Sequence, residues 1–526
     1  MSRINKELLE FIASSPSAFH AVETVRSMLD AAGFQALKER DAWEIEPGGT
    51  YYTVRNGSSI IAFRIGEEKK DLRFRISAAH SDSPMFKIKA VPVLDGPGGY
   101  LRLNVEGYGG MIDSTWLDRP LGIAGRVFVR TEHGAEARLF ATKEDAVLIP
   151  NLAIHFNREV NSGYAFNRQV DLCPMFSAGA CETEAFDAFV AEELGVAPEE
   201  VIARDLFVVN RQKGAVWGAK EEFLSAPRLD DLQCAFASLK GFLAAQRCHG
   251  VSVYCCFDNE EVGSTTRQGA MSTFLKDSLM RVADALGWTG EEYRRAVAAS
   301  FLLSADNAHA VHPNHPEKTD AENCCYLNRG LVLKENAAQK YTTDALSRAA
   351  VRAICDRAGE NLQLFANRSD MAGGSTLGNL SNIQVSLHAA DVGLPQLAMH
   401  SCFETAGAKD TESAVNVFAE YFGCDLQINE ADDFIIREGA SAFIKKMDRS
   451  PSAGDAVLFL QKTIRSNRIH PTGSAPWRGP WNLRFPVCRK RGSPGSAPER
   501  FAPCRRPAAC RPGCAPYYTG SRCRRR

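Results

Sequence analysis

The chain has 526 residues, 45% apolar and 24% charged, which suits two or three domains and excludes wholesale disorder, collagen-like structure and a small disulfide scaffold. Its formal charge of −1 is a cancellation: from residue 471 onward there are 13 Lys and Arg against one acid, Glu499, so that segment carries +12 and residues 1–470 carry −13. An acidic body is joined to a basic end, and the body offers no general attraction for nucleic acid or an anionic membrane.

The N-terminus sets Leu8, Leu9, Phe11 and Ile12 among charged residues at helical spacing, with no basic stretch leading into an apolar run, so it does not read as a signal peptide. No stretch approaches the ~18 consecutive apolar residues of a membrane-spanning helix. Eleven of the 16 cysteines precede residue 471 without a CxxC among them, as expected of small buried hydrophobes in a reducing compartment. A soluble, cytoplasmic protein is expected.

Periodicity predicts two amphipathic helices followed by strands at 59–65 and 72–79, the latter stopping at His80. From about residue 90 to 218, short alternating segments at 100–105, 122–130 and 206–210 are separated by Gly-rich turns, which marks a β-rich region. An α/β rhythm then returns: a helix from 231, a strand at 251–257, a helix through 273–286, a strand at 300–305, a helix at 343–358, a short strand at 396–399 and a helix at 410–422. Residues 429–446 read as one more amphipathic helix. There are no internal repeats. The predicted architecture is a mixed-sheet α/β catalytic domain (residues 1–90 and 219–450) interrupted by a β-rich insert (91–218). A Pro- and Arg-rich tail, 451–526, follows. Ten of the 24 prolines lie beyond residue 470, too many for regular structure, and a disordered tail is expected there.

Five polar clusters follow apolar, strand-like or helix-leading runs: His80-Ser-Asp82, Arg228-Leu-Asp230-Asp231, Asp258-Asn-Glu260-Glu261, Ala305-Asp306-Asn307 and Met399-His400-Ser401. Four fall at the carboxyl end of a predicted strand, where open α/β sheets bind ligands. Two histidines with several carboxylates form a donor set for zinc, or for Mn or Co. One aspartate can bridge two such ions, and a metal pair polarises a carbonyl and generates hydroxide from water near neutral pH. Adjacent residues at a strand end point to opposite sides, so one carboxylate of Glu260-Glu261 can bind metal while the other takes a proton. In His80-Ser-Asp82, the second carboxylate can accept the free ring N–H and fix the tautomer of a metal-bound imidazole. An isolated Glu-Glu is commonly a solvated pair, and a lone His after a strand is commonly structural; their ordered recurrence at element ends is what points to a metal site.

The segments AAHSDSPMFKIK, SAPRLDDL, FDNEEVGS, SADNAHAVHPNH and PQLAMHS together resemble the M18 family of metallo-aminopeptidases, over a span from the N-terminus to about Phe422. The resemblance implies two zinc ions per subunit and release of an N-terminal residue, often acidic, from peptides. It further implies a dimerisation domain inserted in the catalytic domain and a hollow homododecamer built from dimers. Carried over by motif, His80 and Asp306 hold one metal, Glu261 and His400 the other, Asp230 bridges them, Glu260 is the general base and Asp82 orients His80. In IPNLAIHF, His155 corresponds to a histidine that enters a neighbouring subunit's site to stabilise the oxyanion. In GLVLKENAAQKYTT, Lys334 corresponds to a lysine that reads an acidic substrate side chain; a solvated lysine at a strand edge is the competing reading. Gly373 to Thr376 read as a Gly-rich turn or a pocket lining, and His309, His312 and His315 as braces of their loop or of a subunit contact. The stretch from Tyr108 departs from the family pattern at Met111, Asp113 and Pro120, which bears on pocket shape.

Two other functions stay open on sequence alone. One is a di-metal aminopeptidase of broad or neutral preference; the other is a nucleic-acid-binding or scaffold protein on an inactive peptidase body. The basic tail is read either as an arm for RNA or an acidic partner, or as a compositional artefact of GC-rich coding.

Overall fold

A computed structural model describes residues 1–245, 249–429 and 433–437. Its largest sheet has nine strands in the order Gln35–Leu37, Thr50–Arg55, Ser59–Ile65, Val251–Phe257, Phe74–His80, Phe301–Ala305, His388–Gly393, Leu331–Glu335 and Leu362–Ala366. The central strand Phe74–His80 runs parallel to both Val251–Phe257 and Phe301–Ala305, with Phe257 opposite His80. All three central strands are buried along their length, as continuous apolar runs covered on both faces should be.

Alternate residues feed two cores. Ala79, Tyr254 and Cys256 face the helices Arg3–Ala13, Leu229–Ala244, Ala345–Ala358 and Asp410–Gly423. Ile76, Val253, Cys255 and Phe257 face Phe274–Ala285 and Gly290–Ala298. The helix Leu229–Ala244 is buried almost all round because it lies between the sheet and Asp410–Gly423, and Gly241 is what admits the close approach. A Cβ there would lie 2.3 Å from Cβ of Phe418.

The insert is a small barrel. Strands Met85–Asp95, Tyr100–Tyr108, Met175–Ala178, Val147–Leu148 and Pro120–Thr131 follow one another, and Val201–Val209 closes the ring by pairing with both Met85–Asp95 and Pro120–Thr131. Closure removes the edges that alternating segments would otherwise expose. The first barrel strand runs across the expected boundary at 90/91. A third sheet orders Ala215–Trp217, Phe223–Ala226, Glu404–Gly407, Pro395–Leu397 and Ala308–His309.

The predicted α/β class with a β-rich insert is the observed one, and the strands at 59–65 and 251–257 have the predicted bounds. Two expectations need correction. The helix predicted from 429 is, in its described part, a strand: Asp433–Arg437 pairs antiparallel with Asp425–Asn429. Phe434 and Ile436 pack on the core while Ile435 is exposed, a period of two. The short strand near 396 is Pro395–Leu397 and belongs to the third sheet. The remainder of that helix and the predicted disordered tail lie outside the described residues. Among the described residues no helix is long and apolar enough to cross a membrane.

Candidate metal centre

Each of the five clusters leaves a strand end or opens a helix beside the middle of the large sheet. His80 ends its strand, Asp258 follows Phe257, and Asp306 follows Ala305. Asp230 lies in the irregular first turn of Leu229–Ala244, joined to Asp231 by a cis peptide bond, and His400 follows Pro395–Leu397. Arg228, Asn259 and His400 all have positive φ (58°, 65° and 66°), so the turns that aim these side chains are strained, as is common at functional sites.

The structure brings His80, Asp230, Glu261, Asp306 and His400 together with Glu260 and Asp231. Nε2 of His80 is 3.4 Å from Oδ1 of Asp230, while Nε2 of His400 is 3.4 Å from Oδ2 of the same carboxylate and 3.4 Å from Oε1 of Glu261. Asp230 thus offers one oxygen to each histidine. The other ring nitrogens are held: Nδ1 of His80 is 3.0 Å from the Asp82 carbonyl, and Nδ1 of His400 is 2.7 Å from the Gly110 carbonyl. An Nδ1–H donated to a carbonyl leaves Nε2 with its lone pair facing the carboxylates.

Asp82 stands behind this centre. Its Oδ1 is 3.5 Å from Nδ1 of His80, so the carbonyl of the same residue is the nearer acceptor. The carboxylate mainly holds the neighbouring turn, accepting the Glu260 N–H and the Glu261 N–H at 3.2 Å each and the Tyr108 hydroxyl at 2.6 Å. Asn259 donates to the Tyr108 oxygen at 2.8 Å, closing the network.

So many buried carboxyls perturb one another. Burial, reinforced by Asp306, Asp82 and Asp230, lifts Glu260 to about 8, and burial pushes Glu261 and Asp306 up as well. For His400 burial opposes the charged form, but Asp230 and Glu261 outweigh it and raise the ring to about 10. Asp230 goes the other way: burial alone would raise it, yet the His400 and His80 rings beside its two oxygens pull it down. Oδ1 of Asp230, Oδ1 of Asp231 and Oε1 of Glu261 are buried without a hydrogen-bond donor. A buried oxygen left so costs about 1–3 kcal/mol, which a cation would relieve. Imidazole nitrogens with carboxylate oxygens are a donor set suited to zinc, so the residues present fit that ion.

Lys334 is buried rather than solvated, with 2% exposure, and its ammonium donates to the carbonyls of Asp306 (2.7 Å) and Asn307 (3.1 Å). His155 is not part of the cluster within its own chain; it sits on an exposed segment beside Leu152, Ile154 and Phe156, the last 81% exposed. His312 and His315 are exposed with ring centroids 5.2 Å apart. Sequence reading missed the structural work of Asp231, whose Oδ2 accepts the His80 N–H at 3.1 Å, and of Glu404. Asp231 adjoins a marked residue, whereas Glu404 carried no local signal.

Comparisons with known proteins identify the family. The model of the family described as "Aminopeptidase I zinc metalloprotease (M18)" matches residues 11–422. The chain is 43% identical over 422 residues to "Probable M18 family aminopeptidase 2" of Clostridium novyi (strain NT), covering 79% of this chain and 98% of that one. The structure resembles a chain of "Cryo-EM structure of the Ape4 and Nbr1 complex" with a TM-score of 0.77 at 34% identity, over 80% of this chain and 85% of that chain. It also resembles "Structure of S. cerevesiae mApe1 dodecamer" with a TM-score of 0.70 at 28% identity, over 80% and 96%. With the family motifs, the fold and the clustered donors in agreement, the chain belongs to the M18 family of zinc metallo-aminopeptidases.

Proposed function

We propose that the enzyme removes acidic N-terminal residues, Asp or Glu, from peptides, using two zinc ions per subunit for which Mn or Co can substitute. His80 and Asp306 would hold one ion and Glu261 and His400 the other, with Asp230 shared between them. The observation that carries this reading is the division of the Asp230 carboxylate, each oxygen 3.4 Å from a different histidine. Zinc bound there supplies Lewis-acid polarisation of the scissile carbonyl and makes water acidic enough to attack near neutral pH.

Glu260 accepts the proton of the attacking water and delivers it to the leaving amine. Its carboxylate clusters with His80 and Glu261, which puts it beside the attacking water for both transfers. Asp82 keeps Glu260 aimed by holding its backbone N–H, and through its carbonyl it fixes the His80 ring. His155 of a second copy donates to the developing oxyanion; the exposed Leu152, Ile154 and Phe156 around it favour burial in a homo-oligomer, for which a dodecamer built from dimers is our reading. Lys334 supplies positive charge on the Asp306 side for a substrate carboxylate, its ammonium held by the Asp306 and Asn307 carbonyls and 3.7 Å from Oδ2 of Asp306. Because those two bonds already occupy most of the ammonium, a broad or neutral preference is the second reading. We place the enzyme in the cytoplasm, in keeping with buried thiols such as Cys255 and Cys355.

Rates on Asp-, Glu- and Leu-anilides at saturating zinc separate the two preferences. Glu260→Gln tests the mechanism: kcat should fall by about 10²- to 10⁴-fold with zinc content unchanged, and a native rate would sink the assignment.

A further inference from the structure

Glu404 is buried, with 2% exposure, and starts the strand Glu404–Gly407 in the middle of the third sheet. Its two neighbours both run antiparallel to it. On one side Glu404 pairs with Ala226 of Phe223–Ala226, and on the other Thr405 pairs with Leu397 of Pro395–Leu397. The carboxyl ends of both neighbours therefore arrive at Glu404. One chain continues to Asp230, the other to His400. The two carboxylate oxygens are divided between them: Oε2 accepts the Asp230 N–H at 3.1 Å and Oε1 accepts the His400 N–H at 2.6 Å.

We propose that Glu404 is a positioning residue that clamps the two loops carrying Asp230 and His400, setting the distance between them before metal binds. The inference rests on the reading of Asp230 and His400 as ligands. It goes further in giving one side chain control of how tightly the ion beside His400 is held. The other fastenings of the His400 loop come from the barrel side, where the Cys402 N–H donates to Oγ1 of Thr115 at 2.9 Å and Nδ2 of Asn210 donates to the Cys402 carbonyl at 2.8 Å. Those bonds hold the loop to the insert, not to Asp230. Only an acceptor at both ends of the side chain serves two N–H groups. Glutamine has the same shape but turns an NH₂ toward one of them, so Glu404→Gln keeps the packing and opens one half of the clamp.

Native protein and Glu404→Gln, shown to have the same oligomer size, are stripped with chelator and titrated with zinc against a chromogenic competitor. Residues that orient metal ligands are typically worth 10- to 100-fold in affinity. The native protein should take up two equivalents. The variant should bind one of them about 10- to 100-fold more weakly, with kcat regained when free zinc is raised by the same factor. Equal affinities in the two proteins, with the native protein binding two zinc ions, overturn the clamp alone. A native protein that binds no zinc overturns the ligand assignment and the clamp with it. Should the variant not fold, amide exchange in the native protein after chelation decides: the Asp230 and His400 N–H groups stay protected, because the clamp contains no metal, and rapid exchange at both overturns it.

Discussion

Asp82→Asn is a demanding test of how the centre is held. The native carboxylate accepts the Glu260 N–H on Oδ1, and the Glu261 N–H and the Tyr108 hydroxyl on Oδ2. The substituted amide has nearly the same shape but only one oxygen. If that oxygen faces Glu261 and Tyr108, the Glu260 N–H meets an NH₂; if the amide flips, Glu261 and Tyr108 lose their acceptor, and Tyr108 already receives Asn259. At least one bond from a backbone N–H to a buried anion is lost in either case, worth about 1.5–3 kcal/mol. That loss falls on the turn that aims both glutamates, so it should appear in kcat as a drop of about 10- to 150-fold. The assay is aminoacyl-anilide hydrolysis at saturating zinc, with the metal content of the same sample measured. Tyr108→Phe removes the hydroxyl's bond to that carboxylate and the one it accepts from Asn259 but leaves both amides held, and should lose about 10-fold, the lower end of the same range. An Asp82→Asn enzyme with native zinc content and kcat within twofold of native would refute the reasoning.

His155→Ala should lower turnover by about 10²- to 10³-fold and leave zinc content unchanged. Co-assembly of His155→Ala with Glu260→Gln subunits should restore part of the activity, since an intact His155 then meets an intact Glu260 on another copy; no recovery would refute donation between subunits. The metal-free protein should respond to pH in a defined direction. Burial raises Glu260 to about 8 and lifts Glu261 and Asp306 above their ordinary range. In the unfolded chain carboxyls of these types lose their protons near 4. Between those limits the folded state binds more protons, so stability falls as pH rises, by up to about 1.4 kcal/mol per pH unit for each carboxyl. Zinc replaces those protons, so the gain in Tm on adding zinc should grow from pH 5 to pH 8. A gain that shrinks over that range would refute this account.

The candidate site was legible in the sequence because most of its clusters follow an apolar run that ends abruptly in polar residues. His80, Asp258 and Asp306 mark the ends of buried parallel strands, where apolar composition must stop. The role of each residue came from resemblance, and Asp230 and His400 do not follow a strand of the large sheet. Strands such as His388–Gly393 escaped notice because its AAD core is not rich in β-branched residues. At Asp433–Arg437 the apolar cluster is short enough to support either period, and only its pairing with Asp425–Asn429 makes it a strand.

Lys334 and Glu404 show where local reading ends. The sequence around Lys334 is compatible with a solvated strand edge or an interior cation, and only the packing of Leu331–Glu335 under the Asp306 loop decides between them. Gly393 belongs to the same arrangement, since a Cβ there would lie 1.9 Å from the Asp306 carbonyl. Glu404 is one glutamate among many until antiparallel pairing brings two distant strand ends to its carboxylate. By itself the sequence determined the donor set, the α/β class with its inserted β-rich segment, and the acidic body behind a neutral total charge, because composition and periodicity are local properties. Tertiary structure alone decided which backbone N–H each buried carboxylate holds and which histidine faces which oxygen of Asp230, because those depend on contacts between residues far apart in the chain, such as His80 and His400 with Asp230.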